Sequence, residues 1–492
     1  MKKNHFSLWR KARLLSVAAV GALLLSSCAQ DGFDDDERWS SSVSGITLVS
    51  PTADNISISA SADGSQTVIV WDVVRGAGGY ECTVMDVTDA ENPAVVDGIQ
   101  DSLIDRCQIA VSREADHNYT FSIKAMGNKE LNNTEAESAT LVAFNSFTAA
   151  LATIPEGSDI TAFIAENPMP DEAKDKEMAY DLVAGGQYTM SGSVDFGNKR
   201  VQLRTTDQNN PATIKMTGNA SISTATGMSI KNVNFDCSAS TDPFIAYSET
   251  PDEGGDESTM GVISGSQNYY DIQQSLLIEN CKVTGVNNYF IYDNKVKYCV
   301  GTAIIRNCVV QLTGTECSGI IRFETGFIND LTVDKSTFYG VDGADSKYFV
   351  QYSNSARCDR GGFFSNSITY SNSTFYNVAY SGQWGNYSGF AGRNTSFWNM
   401  TNCIFVNCGS NQITRRFLAG RQGTANRNFA NNTYMYDGAF ESTDGVVSGY
   451  DESATAIESD PMFADPANGD FTVGGSEQKS KRTGDPRWLP AN

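Results

Sequence analysis

From Arg360 to Tyr436 the chain carries six arginines and neither Asp nor Glu. The arginines are Arg360, Arg393, Arg415, Arg416, Arg421 and Arg427, interleaved with Tyr376, Tyr380, Trp384, Tyr387, Phe390, Phe397 and Trp398. An aromatic face stacks on the apolar side of a sugar ring, and a guanidinium grips a carboxylate through two parallel N–H bonds. The combination fits an acidic glycan. Its candidate contacts are Tyr380, Trp384, Tyr387, Arg393, Arg415, Arg416 and Arg421, since residues 380–393 fall between two repeats and read as an excursion from the coil. The competing assignment puts the aromatics in the core and scatters the arginines over the surface.

Composition excludes several other chemistries. His117 is the only histidine after residue 27 and reads as a surface turn residue, so Ser–His catalysis, Cys–His catalysis and His-ligated metal sites have no material in the C-terminal region. None of the eleven cysteines falls in a Cys-x-x-Cys pair of the kind that binds zinc. The run from Asp252 to Glu257 offers clustered carboxylates to Ca2+, although without EF-hand spacing, and a solvated loop explains it equally simply. No catalytic residue and no required cofactor or metal is assigned. The chain carries 36 basic and 58 acidic residues, a poor balance for binding nucleic acid.

A six-residue frame recurs seven times and must position these groups. Its first, third, fourth and sixth residues run Ile230, Asn232, Val233, Phe235, then Ile278, Asn280, Cys281, Val283, then Ile305, Asn307, Cys308, Val310. The later frames centre on Lys335, Asn372, Asn402 and Asn431, and successive third positions lie 48, 27, 28, 37, 30 and 29 residues apart. Short β-branched and aromatic runs at such a period predict a solenoid. Side chains alternate faces along a strand, so positions one, four and six all point inward only if the chain turns a corner at the third. The corner Asn side chains then stack as a hydrogen-bonded ladder, and Cys281, Cys308 and Cys403 form an inward column of free thiols.

The chain opens with Lys2, Lys3, Arg10, Lys11 and Arg13 before an apolar run from Leu14 to Leu25, which reads as a secretory signal over residues 1–27. Leu25, Ser26, Ser27 and Cys28 resemble a bacterial lipoprotein cleavage site with Cys28 lipidated. The acidic linker 28–43 fits surface export, though it is also an ordinary solvated linker. Residues 44–147 alternate as short strands. Trp71 is the expected early core aromatic, and Tyr119, Phe121 and Ile123 resemble a late strand of a fibronectin type III sandwich. Cys82 and Cys107 are placed where they either pair or stay free. Linker and cap helix occupy 148–180, with Ser158 or Asp159 as N-cap before Ile160, Phe163 and Ile164; coils fill 181–475 and a tail 476–492.

In the tail, Ser459 to Phe463, Gly469 to Val473 and Gly484 to Trp488 complete a pattern with the lipoprotein site, the sandwich and the Asn frame. Together they resemble uncharacterised pectate-lyase-like surface lipoproteins of gut-bacterial polysaccharide-utilisation systems. The resemblance implies an all-β chain: a fibronectin type III-like sandwich, then a right-handed parallel β-helix with an N-terminal cap helix. It also implies an outer-membrane anchor facing the cell exterior, capture of a pectin-like acidic polysaccharide, and an outer-membrane glycan transporter complex as partner. The Gly-His-Gly and Arg-x-Pro-x-x-Arg motifs of related β-helix enzymes are absent. A glycan-binding protein is therefore the expectation, with a polysaccharide lyase using Arg or Lys as base, or a structural adhesin, as the alternatives.

Overall fold

The computed structural model describes residues 43–491 apart from 62–65, 115, 172–175, 252–268, 315–316, 342, 354–364, 388–394, 419–424 and 441–450. The chain divides into two compact units, 1–147 and 148–492. The first is an antiparallel sandwich. One sheet holds Ile56–Ala60, Gln66–Trp71 and Gln108–Ser112; the other is built on Tyr80–Asp86, Asn118–Ala125 and Thr140–Asn145. Strict alternation buries Tyr80, Cys82 and Val84 against Phe121 and Ile123, with Trp71 edge-on to Tyr80 at 5.4 Å. The Tyr119 hydroxyl accepts from the Glu114 amide at 3.0 Å and closes a corner. Cys82 and Cys107 are free thiols. His117 is more than a turn residue: its Nδ1 lies 2.5 Å from Asp86 Oδ2.

The second unit is a parallel, β-helix-like solenoid with three faces. Nine strands from Met178–Leu182 to Asn426–Ala430 stack side by side as the first face. The second face begins at Gln187–Met190 and ends at Thr433–Tyr436, and the third runs from Val194–Asp195 to Gln383–Asn386. Coils are numbered here one to nine by their first-face strands. Neighbouring coils stay in register, as in Ile230↔Ile278 and Ile278↔Ile305. At the first end Ala150–Ile154 adds a parallel strand, and the helix Ile160–Glu166 is capped by Asp159, whose side chain accepts from Ala162 N–H.

Between first and second faces the chain turns on one residue in the left-handed region. Asn232, Asn280, Asn307, Lys335, Asn372, Asn402 and Asn431 all have φ between 47° and 57°. Asn tolerates this conformation better than any other residue with a Cβ, which explains its recurrence there. The amides form the expected ladder: Asn280 Nδ2 donates to Asn232 Oδ1 at 2.9 Å, Asn307 to Asn280 at 2.6 Å, and Asn431 to Asn402 at 3.1 Å. Lys335 interrupts it, and Asn372 instead donates to Asp334.

Frame positions one, four and six are buried in every repeat. At position four, Ser336 and Ser373 each accept from the backbone N–H of the preceding coil and donate to the carbonyl two residues back. The thiols of Cys281, Cys308 and Cys403 donate to carbonyls in the same way and remain unpaired with one another.

Among the described residues the last strand in parallel register is Thr433–Tyr436, after which Ala439–Phe440 returns antiparallel. The hairpin Phe463–Asp465/Asp470–Val473, the helix Ser476–Lys481 and the turn Pro486–Trp488 lie along the outside of the second face. There Val473 and Leu489 pack on Ile404 and Val406. Among the described residues no helix is long and apolar enough to cross a membrane.

Candidate binding groove on the second face

The aromatic and basic residues expected at one glycan site are not brought together. Trp384 and Tyr387 are 0 % exposed. Gln383–Asn386 is the third-face strand of coil seven and not an excursion, so alternation turns Trp384 into the core. Its indole stacks on Phe349 at 4.5 Å and meets Phe375 and Phe405 edge-on. Tyr387 packs beside Tyr352, in space that a Cβ on Gly385 would fill. Neither ring can stack on a bound sugar.

Tyr380 is half-buried at a corner, but its surroundings are acidic. It stacks on Tyr436 at 5.1 Å and donates its hydroxyl to Asp437, while Asp345 accepts from Ser381. Burial, the Tyr380 hydroxyl and the carboxylates of Asp437 and Asp345 push Tyr436 up to about 12. Arg415 and Arg416 sit on the short helix Ile413–Phe417, where Arg415 reaches Gln412 at 3.5 Å. Arg393, Arg421, Cys28 and the Asp252–Glu257 run lie outside the described residues. No group of three or more His, Cys, Asp or Glu side chains is placed to hold a metal ion among the described residues.

A different surface has the shape of a binding site. On the second face, frame position five points outward and forms the column Asn234, Lys282, Val309, Thr337, Thr374, Ile404 and Thr433. Beside its far half runs Tyr339, Tyr376, Val406 and Met435. The C-terminal segment covers that apolar half, with Phe471 packed on Tyr339 at 5.2 Å and on Tyr376 at 5.6 Å. The polar half stays open. Where the cover stops, Asn468, Gly469, Arg487 and Trp488 wall a groove of about 590 Å³ over Asn234, Lys282 and Val309. Gly469 has φ +82°, and a Cβ there would press on the Tyr339 hydroxyl, so the wall needs glycine at this point.

The wall is fixed by a dense set of bonds. Asp485 is 1 % exposed; its carboxylate accepts from Thr337 Oγ1 at 2.8 Å, from the Arg487 amide and from Arg487 Nη1 at 3.0 Å. Burial pushes this carboxyl up to about 6 despite the guanidinium beside it. Arg487 Nη2 donates to Asn307 O and to Oδ1 of the same residue, and Nη1 also reaches Cys308 O. Trp488 Nε1 donates to Thr337 Oγ1 at 2.8 Å. The indole is thus pinned and half-buried at the groove edge.

Counting donors shows what remains for a ligand. The four terminal N–H groups of Arg487 are already used, and Asn280 and Asn307 each commit one amide N–H to the ladder. Asn468 donates to Asp465. Lys282 is exposed and makes no hydrogen bond or ion pair among the described residues, and no carboxylate lines the groove. The side chains of Gln208, Asn209 and Asn234 complete the open polar set. Such a surface offers paired donors and acceptors to hydroxyl groups and one ammonium to an anion. Sequence reasoning missed it because its wall comes from residues 468–488, although the outward Lys at frame position five was a visible signal.

Family models match the chain in three pieces. Residues 1–185 match DUF4992, a domain of unknown function, which spans the sandwich and the beginning of the solenoid. Residues 186–341 match the domain of unknown function DUF4957, and residues 368–488 match the domain of unknown function DUF5123. The third match contains coils seven to nine together with the segment that walls the groove. No curated protein matches the chain.

Proposed function

We propose that the protein is a glycan-binding lipoprotein that holds a carboxylated sugar chain, pectin-like in chemistry, in the second-face groove. The observation that carries this reading is the uncommitted Lys282 in a groove lined by amides and a pinned indole, with no carboxylate among its described lining residues. Amides pair with sugar hydroxyls, the ammonium with a uronate and the indole with the apolar side of a ring. In this reading Cys28 is lipidated and anchors the chain at the outer membrane, facing outward. The sandwich is a fibronectin type III-like spacer, the solenoid winds right-handed as a β-helix, and a glycan transporter complex takes the captured chain. Fractionation of a Cys28→Ala variant tests the anchor, since unchanged outer-membrane partitioning would contradict it.

The competing reading is a polysaccharide lyase, in which Lys282, the basic side chain among the groove's described lining residues that makes no bond, acts as its neutral amine to take the proton beside a uronate carboxyl. Incubation with polygalacturonate, with and without Ca2+, distinguishes the two. Binding without any rise in unsaturated-product absorbance supports capture; turnover lost in Lys282→Ala supports the lyase.

A further inference from the structure

The groove is long in one direction. Along the solenoid axis its lining runs from Gln208 of coil two through Asn234, Lys282 and Val309 to Tyr339 of coil six. Across the face it reaches, within coil four, from the corner Asn280 to Lys282. A bound chain therefore lies along the axis. Equivalent side chains meet it at each coil, about 4.8 Å apart, a step close to the length of one sugar unit in an extended chain.

The two ends of the groove differ. Burial along the position-five column changes abruptly: Lys282 is exposed and Val309 half-buried, whereas Thr337, Thr374, Ile404 and Thr433 are each 0 % exposed. The C-terminal segment lies in the column itself and takes up its hydroxyl groups. Thr337 Oγ1 donates to Asp485 at 2.8 Å, the Asp485 amide donates to Thr374 Oγ1 at 3.0 Å, and Gln478 Nε2 donates to Thr433 Oγ1 at 3.3 Å. Gly484 sits on Ile404 so closely that a Cβ would come within 2.8 Å of that side chain. The segment thus fills the track that a ligand passing beyond coil five would need. Toward the other end the column continues through Thr213, half-buried, and Gln187, exposed.

We propose that the groove is blind and selects a terminus of an acidic glycan chain, not an internal stretch. This inference rests on the reading of the groove as the glycan site. The terminal ring lies over Val309 against the Trp488 indole, which its hydrogen bond to Thr337 holds in place. The carboxylate that meets Lys282, one coil back, belongs to the next sugar in. The wall stops the chain at coil five, and the remainder leaves past Asn234 toward coil two. A track open at both ends would accept any stretch of a polymer, whereas a blind one accepts each polymer once.

The test is calorimetric stoichiometry with the full-length protein, titrated with hexagalacturonate and with polygalacturonate of known chain length. Both should bind one protein per chain, with closely similar affinity per chain. A number of bound proteins that grows with chain length would overturn the proposal. Two altered hexamers identify the end: one reduced with borohydride, which opens the ring at the reducing terminus, and one cut by a lyase, which leaves an unsaturated ring at the other. One of them should bind about tenfold or more weakly, and the other as the unaltered hexamer does; equal effects of the two would also overturn it. Lys282→Ala separates the two levels. Many proteins per chain, with binding lost in that variant, would remove the chain-end selection and leave the groove. No binding at all, or binding untouched by Lys282→Ala, would remove both.

Discussion

Arg487 donates through Nη2 to Asn307 Oδ1 at 2.6 Å, joining the C-terminal segment to a ladder rung 180 residues earlier. The contact falls where the ladder is broken. Lys335 occupies the next corner and cannot stack as an amide, so the Asn307 acceptor is left for a donor from outside the coils. One side chain therefore ends a run of the ladder and sets the groove wall.

Removing that acceptor should cost both structures. Asn307→Leu leaves Arg487 and Asn280 each short of a partner, and a buried or charged group so stranded typically costs about 1–3 kcal/mol. Denaturant unfolding of Asn307→Leu, Arg487→Ala and the double variant checks the link. The two losses should be clearly less than additive, and simple additivity would mean that the contact contributes nothing.

The C-terminal segment should dock more firmly in acid. Asp485 is raised from 3.8 to about 6, chiefly by burial, with Arg487 opposing and Asp334 adding to the shift. A raised folded value means that its contribution is complete below about 3.8 and is lost as pH rises through 6. The span corresponds to about 3 kcal/mol at most. Hydrogen exchange at the Trp488 and Leu489 amides, corrected for intrinsic rate, should show more protection at pH 4.5 than at 7.5. Asp485→Asn should flatten that difference.

Nine cysteines stay free among the described residues, and burial explains how for those in the coils. Desolvation pushes Cys403 and Cys408 up to about 12 and Cys281 well above 9, so almost no thiolate forms. A thiol reagent at pH 8 should leave these three unlabelled in the native protein and label them on unfolding. Native labelling of Cys403 would contradict the packed interior.

Trp384 should matter for stability and not for recognition. Emptying a fully buried indole site among Phe349, Phe375 and Phe405 costs about 3–5 kcal/mol. Trp384→Ala should therefore lower the denaturation midpoint. Whatever fraction stays folded should bind ligand as the unmodified protein does.

The corner, the inward positions and the Asn ladder were legible because each is a local pattern repeated with the coil. Asn280 and Cys281 reveal their roles through parity and a one-residue turn. Trp384 and Tyr387 misled because the strand that holds Trp384 and ends just before Tyr387 is only four residues long and contains Gly385, so it resembles a loop. The groove was not legible because Asp485, Arg487 and Trp488 act on Thr337 and Asn307 across 148 to 180 residues, and no local spacing encodes such a contact. What the pattern did carry was the outward Lys282, whose importance depends on that distant wall.

In the proposed binding mode Lys282 meets a sugar carboxylate in the second-face groove. Calorimetry of oligogalacturonate against the full-length protein and Lys282→Ala at two salt concentrations tests it most directly. Losing one charge-assisted bond typically costs about 1.5–3 kcal/mol, or roughly ten- to a hundredfold in affinity. That loss is expected in the variant, together with weaker binding by the unmodified protein at high salt. Equal affinity of the two proteins, or equal affinity for galacturonate and neutral hexasaccharides at this site, would contradict it.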